Sequence, residues 1–554
     1  MRRGVAVALL ALGAAIAPTT VEAQQAGVDV SRYRFALSLP DTGKVIRAEA
    51  QVQFTRTRTV DALRLDLLAP MALRGATLGC DNKATAVAAT HERGVITVPL
   101  PAFTKSARAA NDPRAMEPLD SLCVTVRYDG APTDGLVIST DTAGRWRAFG
   151  DNWPNRARHW LASVDHPSDK ALVEFVVDAP SARTVVANGT QRAQVPQGGR
   201  TRTTWATASP IPTYLMVIAA APLTVTELGQ TACGLASVGR CVPQRVYTAP
   251  EQAAAMPGNF AQADSIVAFF SRLVGPFPYE QLAHLQSSTR FGGMENAGAI
   301  FYNDALFRTP AGVSVGLIAH EVAHQWFGNA VTEAEWGQLW LSEGFATYFA
   351  ALYTEKAFGD SAFRAEREGI RRTILGAKVV TERPVIDSTQ TDLLALLNAN
   401  SYQKGGFVLH MLRREVGDSA FFRGVRAYWT PRVHGNARTE DLRAVMEREV
   451  GRDLSWFFDQ WLRRPGFAEL TVRYAYDAAR RQVKVIVEQG TRFAPYRFPL
   501  VLEFTMDDGS TRVAFVNVPA RAIAEITLRE TFERTPTSMR VDPTVELLAE
   551  IRTP

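Results

Sequence analysis

His320-Glu321-Val322-Ala323-His324, with Glu343 following in Leu339-Trp340-Leu341-Ser342-Glu343-Gly344-Phe345-Ala346, is the stretch on which the reading of this chain turns. Positions i and i+4 of a helix lie about 40° apart around its axis, so both imidazoles leave one face, one turn apart. That spacing supplies two ligands of a zinc site. A catalytic zinc takes three protein ligands and keeps a fourth position for water or substrate. Glu343 is the third donor, at the start of a second helical pattern that runs from about Leu339 to Phe358 and stops at Gly359-Asp360. Gly328-Asn329 stops the first helix, so two neighbouring helices converge on one ion, and one Zn2+ per chain is expected. Glu321 is turned away from the ligand pair and is the candidate general base.

Outward from this centre, 554 residues with 46% hydrophobic content are enough for several cores. At about 150 residues per domain, three or four domains are expected. The 61 basic and 56 acidic residues are spread without long runs, and a net charge of +5 gives no reason to expect a nucleic-acid partner. Residues 1–23 read as a secretory signal: Arg2-Arg3, an apolar run from Val5 to Ile16, and Val21-Glu22-Ala23 as the cleavage site. The mature chain is expected to begin at Gln24 and to be exported, periplasmic or secreted. No later stretch reaches about 18 uninterrupted apolar residues, so no transmembrane segment is expected in it. Tyr214 to Ala221 is apolar but ends at Pro222, as a buried strand would. Four cysteines in an exported chain favour two disulfides. Of three possible pairings, Cys80 with Cys123 and Cys233 with Cys241 is the one expected.

The pattern divides the mature chain into an N-terminal β domain (24–222), a mostly helical catalytic domain (223–465) and a small C-terminal β-sandwich (466–554). In the first, Tyr33 to Leu39 alternates at period two, and Ala171 to Val177 is a nearly continuous apolar run of strand length. In the second, helical signals dominate, as in Ala261 to Phe270. In the third, short strands return, among them Gln482 to Glu488 and Leu500 to Phe504, parted by turns such as Asp507-Asp508-Gly509.

Upstream of the metal helices lies Gly292-Gly293-Met294-Glu295-Asn296-Ala297-Gly298-Ala299-Ile300. Its glycines let the backbone approach a ligand, and its one carboxylate can meet a cationic group. This segment resembles the Gly-Ala-Met-Glu-Asn exopeptidase motif of the aminopeptidase N family of gluzincin metallopeptidases, whose zinc-ligand spacing the chain also has. The resemblance implies a thermolysin-like catalytic domain and peptide substrates with a free N-terminus. It places Gly292, Gly293, Met294, Glu295 and Asn296 in substrate binding, with Glu295 on the α-ammonium. It extends over most of the chain, through Asp151 to Trp160, Asp165 to Ala171, Val186 to Gly189, Pro212 to Leu215 and Phe458 to Trp461 before Arg464-Pro465-Gly466. Ser401-Tyr402-Gln403-Lys404-Gly405 is similar to the family's Tyr-Glu-Lys-Gly, which implies that Tyr402 stabilises the oxyanion.

Three departures stand out. Gly293 replaces an alanine, a change expected to be harmless. Gln403 replaces a glutamate beside Tyr402. Trp153 stands where many members supply a second amine-binding glutamate, with Asp151 as one candidate to compensate. Many relatives carry a long helical C-terminal domain after the small β domain, and none is expected in this sequence. The expected function is a zinc metallo-aminopeptidase using Glu321 as general base. The alternatives are a related zinc endopeptidase or epoxide hydrolase, which would not need a free amine, and a catalytically silent binding scaffold.

Overall fold

The computed structural model describes residues 25–103, 120–231, 241–309 and 311–552. The expected leader, residues 1–23, and Cys233 of the second expected disulfide lie outside them. The first expected disulfide, Cys80–Cys123, is present. Among the described residues no helix is long and apolar enough to cross a membrane.

The N-terminal part is β-rich. Strand Val28–Ser38 buries Val28, Val30, Tyr33, Phe35 and Leu37, and Ile46–Arg56 buries Ile46, Ala48, Ala50, Val52 and Phe54. The period of two in the sequence is thus the period of the pleat, with alternate side chains on one covered face. Val28–Ser38 sits in the middle of a nine-stranded sheet, between Lys170–Pro180, which runs parallel to it with Phe35 opposite Phe175, and the antiparallel Ile46–Arg56. A four-stranded sheet (Thr184–Ala187, Ile218–Ala221, Trp146–Asp151, Gly135–Thr140) leads to the next region. Tyr214 to Ala221 is wholly buried as expected, though only Ile218–Ala221 is strand and Thr213–Leu215 is a 3-10 turn.

The middle region opens with a five-stranded sheet rather than with helices. Its order is Thr224–Thr231, Val242–Thr248, Leu282–Ser287, Ala299–Asn303 and, at the edge, Gly293–Met294. The region as a whole is mostly helical, as expected, and the sheet is an addition that the helical signals do not announce. Leu282–Ser287 is buried at every position, and a strand covered on both faces shows no alternation in sequence. Helices follow. Four of them build the site: α1 (Val315–His324), α2 (Trp340–Phe358), α3 (Asp360–Gly376) and α4 (Gly405–Val416).

From Ala468 the chain forms two facing sheets, one of Ile523–Thr527, Gln482–Gln489, Ala468–Asp477 and Ala549–Arg552, the other of Thr511–Val518, Phe498–Met506 and Pro536–Val541. Val483, Val485 and Val487 are buried from one and Leu500, Leu502 and Phe504 from the other, and Tyr474 meets Phe504 edge to face at 5.5 Å. Two inner faces sharing one core make a β-sandwich.

Candidate active site

Helix α1 begins at Ser314, whose side-chain oxygen accepts the Leu317 N–H at 3.2 Å and satisfies one of the open donors of the first turn. Ile318, Ala319, Val322 and Ala323 are buried, which fixes how the helix is rotated and directs His320 and His324 towards α2. In α2 the Trp340 indole N–H donates to Thr439 Oγ1 at 2.8 Å, and Glu343 follows in the first turn. The three groups form a triangle. His320 Nε2 and His324 Nε2 are 3.1 Å apart, and each is 3.3 Å from Glu343 Oε2.

A tetrahedral ion bound at about 2.0–2.1 Å has its ligand atoms about 3.3 Å from one another, so this triangle has the size of one face of a zinc site. Glu343 Oε2 is buried without a hydrogen-bond partner, which is costly unless a cation shares the space. His324 is held from behind, with Nδ1 3.1 Å from Phe327 O and 3.1 Å from Ser342 Oγ, which leaves Nε2 for the triangle. Gly328 makes this approach possible. Its φ is +106°, and a Cβ there would fall 2.2 Å from Ser342 Oγ.

The charges point the same way. Burial alone would raise the Glu343 carboxyl, but the two histidines hold it down at about 2. Burial would lower His324, yet Glu343, Glu295 and Glu321 draw it up to about 10. Three carboxylates therefore call for positive charge at this point, and a divalent ion meets that demand with both imidazoles neutral. Burial pushes the Glu321 carboxyl well above the ordinary range; Glu295 and Glu343 push the same way and His324 opposes. Its Oε2 is buried and unbonded.

Glu295 follows the edge strand Gly293–Met294, which pairs antiparallel with Ala299–Asn303. Its own carbonyl accepts Gln325 Nε2 at 2.8 Å and Asn329 Nδ2 at 2.6 Å, tying the segment to the end of α1. The carboxylate is buried beside Glu321 and His324, and burial raises it to about 7. Asn296 is fully buried, with neither side-chain polar atom hydrogen-bonded. A Cβ on Gly293 would lie 2.1 Å from Glu321 Oε1, so an alanine here would need the flexible Glu321 side chain to rest elsewhere.

Tyr402 lies in a π-helical turn, Asn400–Lys404, that runs into α4. Asn400 Nδ2 donates to Arg383 O at 3.0 Å and Ser401 Oγ to Leu396 O at 2.7 Å, which anchors the turn. The Tyr402 ring lies parallel to His320, centroids 5.9 Å apart. Burial raises its hydroxyl pKa well above the usual value, and Glu343 and Glu295 add to that, so it stays a proton donor.

One cavity of about 530 Å³ joins these groups: Gly292 to Glu295, the metal triad, Glu321 and Tyr402 all line it. Asn296 is not in the wall. Trp153 is, packed edge to face on Phe291 at 6.1 Å and on Trp336 at 5.5 Å. Asp151 does not take the place of an amine-binding glutamate. It is 1% exposed, does not line the cavity, and accepts Arg156 Nη2 at 2.7 Å. The sequence reading missed Thr347 and Ala350, which share the Glu343 face of α2, and Glu366 and Ile370 of α3. Helical spacing from Glu343 could have found the first two; nothing local relates α3 to the metal.

Residues 261–461 match the Peptidase family M1 domain and residues 113–215 the Peptidase M1 N-terminal domain. Aminopeptidase N of Streptomyces lividans is 30% identical over 347 residues, covering 58% of this chain and 38% of that protein. Probable aminopeptidase 2 of Sulfurisphaera tokodaii is 26% identical over 369 residues, 63% of this chain and 45% of that protein. The chain thus spans less than half the length of these curated relatives. Among solved structures, Legionella pneumophila aminopeptidase A in complex with aspartic acid shares the fold, with a TM-score of 0.79 at 18% identity over 95% of this chain and 60% of that one. An E323A mutant of an M1 zinc metallopeptidase from Deinococcus radiodurans has a TM-score of 0.66 at 23% identity over 79% of this chain and 95% of that one. With both M1 domain models matched in order along it, the chain belongs to peptidase family M1.

Proposed function

We propose that the chain is a zinc aminopeptidase that removes the first residue from peptides with a free N-terminus. The observation that carries this reading is the buried carboxylate of Glu295 beside the His320–His324–Glu343 triangle in one cavity. A carboxylate at that place holds an α-ammonium within one residue of the reacting bond and limits cleavage to the terminal residue.

His320, His324 and Glu343 would hold one Zn2+ per chain, which would supply Lewis acidity towards a scissile carbonyl and water. Glu321 accepts the proton of the attacking water and delivers it to the leaving amine. Its desolvated carboxylate, with one oxygen unbonded, is a stronger base than a solvated one. The Tyr402 hydroxyl donates to the oxygen that gains charge. Gly292, Gly293 and Met294 present the edge strand along which the substrate backbone lies, and the Asn296 carbonyl closes the turn behind Glu295 by accepting the Ala299 N–H at 2.9 Å.

The reading includes domain limits of 24–222, 223–465 and 466–554 and export under the leader of residues 1–23, supported by the Cys80–Cys123 disulfide, a bond of oxidising compartments. The test is hydrolysis of aminoacyl reporter amides by the zinc-loaded protein, each with a free and an N-acetylated amine. Cleavage of the free-amine set alone is expected. Equal cleavage of both sets would indicate an endopeptidase-like hydrolase, and silence on both would leave the binding scaffold.

A further inference from the structure

Glu366 faces the same cavity from α3, across from Thr347 and Ala350 of α2 and one turn before Ile370. Among the described residues it has no cationic partner. Arg367 and Arg371 of the same helix are engaged elsewhere, with Glu546 at 3.0 Å and Asp542 at 2.7 Å. Its polar neighbour is the Thr354 hydroxyl, and burial raises its carboxyl above the ordinary range against that hydrogen bond. A half-buried carboxylate that lines a cavity without a cationic partner is an electrostatic demand that a ligand can meet.

The rest of the wall does not answer that demand. Its described lining has no lysine or arginine, but four carboxylates: Glu295, Glu321, Glu343 and Glu366. Even with a divalent ion on the triad, the cavity keeps a negative balance that attracts cations and disfavours acidic side chains.

Position decides which part of a substrate meets Glu366. Glu295 lies at the His324 end of α1, in the cavity whose wall also holds Phe291 and Trp153. Thr354 lies on α2 some three helical turns beyond Glu343, about 16 Å of helix rise. Glu366, bonded to Thr354, therefore belongs to the far end of the cavity from the amine anchor. A peptide anchored by its amine at Glu295 and cleaved beside the triad would carry its second side chain towards this end.

We propose that Glu366 selects a cationic side chain, lysine or arginine, on the residue that follows the cleaved bond. This rests on the aminopeptidase reading and adds a substrate class to it. The carboxylate is a specificity group that pairs with the incoming ammonium or guanidinium and takes no part in the proton transfers.

The test is kcat/KM of the zinc-loaded full chain on the tripeptides Ala-Lys-Ala, Ala-Leu-Ala and Ala-Glu-Ala. Lysine is expected to exceed leucine by roughly tenfold and glutamate to fall below it. Glu366→Gln should bring the three to within about twofold of one another, and Glu366→Lys should invert the order of lysine and glutamate. Equal rates on all three by the native protein, or an unchanged preference in Glu366→Gln, overturn the proposal. A Glu366-dependent preference for Lys-Ala-Ala over Leu-Ala-Ala, with none at the second position, overturns the assignment to the second residue. Failure of the native protein to cleave any free-amine peptide overturns the aminopeptidase reading instead. The native panel needs no variant, so a misfolded mutant leaves the question decidable.

Discussion

Gly293 and Glu321 share one space: a Cβ on Gly293 would stand 2.1 Å from Glu321 Oε1 and 2.3 Å from its Cδ. The edge strand therefore also fixes where the Glu321 carboxylate, the proposed base, rests. Gly293→Ala should push that carboxylate off its position while leaving the triad, which Gly293 does not touch. The expected result is a fall in kcat of about tenfold to a hundredfold, the scale of an ångström-sized misplacement, with zinc content unchanged. Metal analysis beside steady-state kinetics checks it, and unaltered kcat would mean that Glu321 relocates at no cost.

Glu321 and His324 lie one turn apart on α1 but should fail differently. Glu321→Gln keeps shape and removes the base, so turnover should drop by about 10²–10⁴ with zinc retained. His324→Ala removes one corner of the triangle, and zinc should be lost with the activity. Near-normal rates in Glu321→Gln would remove it from the role of base.

Tyr402→Phe removes one hydroxyl and leaves the ring against His320. If the hydroxyl meets charge that develops only during reaction, kcat should fall by roughly 10²-fold with little change in KM. An effect confined to KM would make Tyr402 a ground-state binding group.

The candidate metal triangle was legible because its information is local. Two histidines one turn apart and a glutamate at the start of the next helix lie within 24 consecutive residues, from His320 to Glu343, and helix geometry does the rest. Glu295 was legible through its motif. What the sequence concealed depends on packing between distant segments. Leu282–Ser287 is covered on both faces, so its burial left no alternation to read. Arg156 occupies Asp151 through a contact that neither residue announces in the sequence. Glu366 sits on an ordinary amphipathic helix, and only the docking of α3 against α2 turns it towards the cavity. The Gly293–Glu321 conflict joins an edge strand to a helix face and has no signature in either segment alone.

A buried acid outside the candidate site bears on stability. Asp169 is 1% exposed; its Oδ1 accepts the Val30 N–H at 3.4 Å and its Oδ2 has no partner. Burial, with Asp29 adding to it and the Val30 N–H opposing, pushes its pKa up from 3.8 to about 8. The folded state thus keeps a proton that the unfolded chain releases across that interval. Stability from this group is full below the unfolded value and is lost as pH rises through the folded one, at up to about 1.4 kcal/mol per pH unit. Asp169→Asn retains an oxygen for Val30 and has no charge to desolvate, so the variant should gain over the native protein as pH increases. Thermal melting at pH 5 and pH 8 reads this directly: the difference in Tm between variant and native should be small at the lower pH and favour the variant at the higher. A difference independent of pH would mean that Asp169 is ionised in the folded protein.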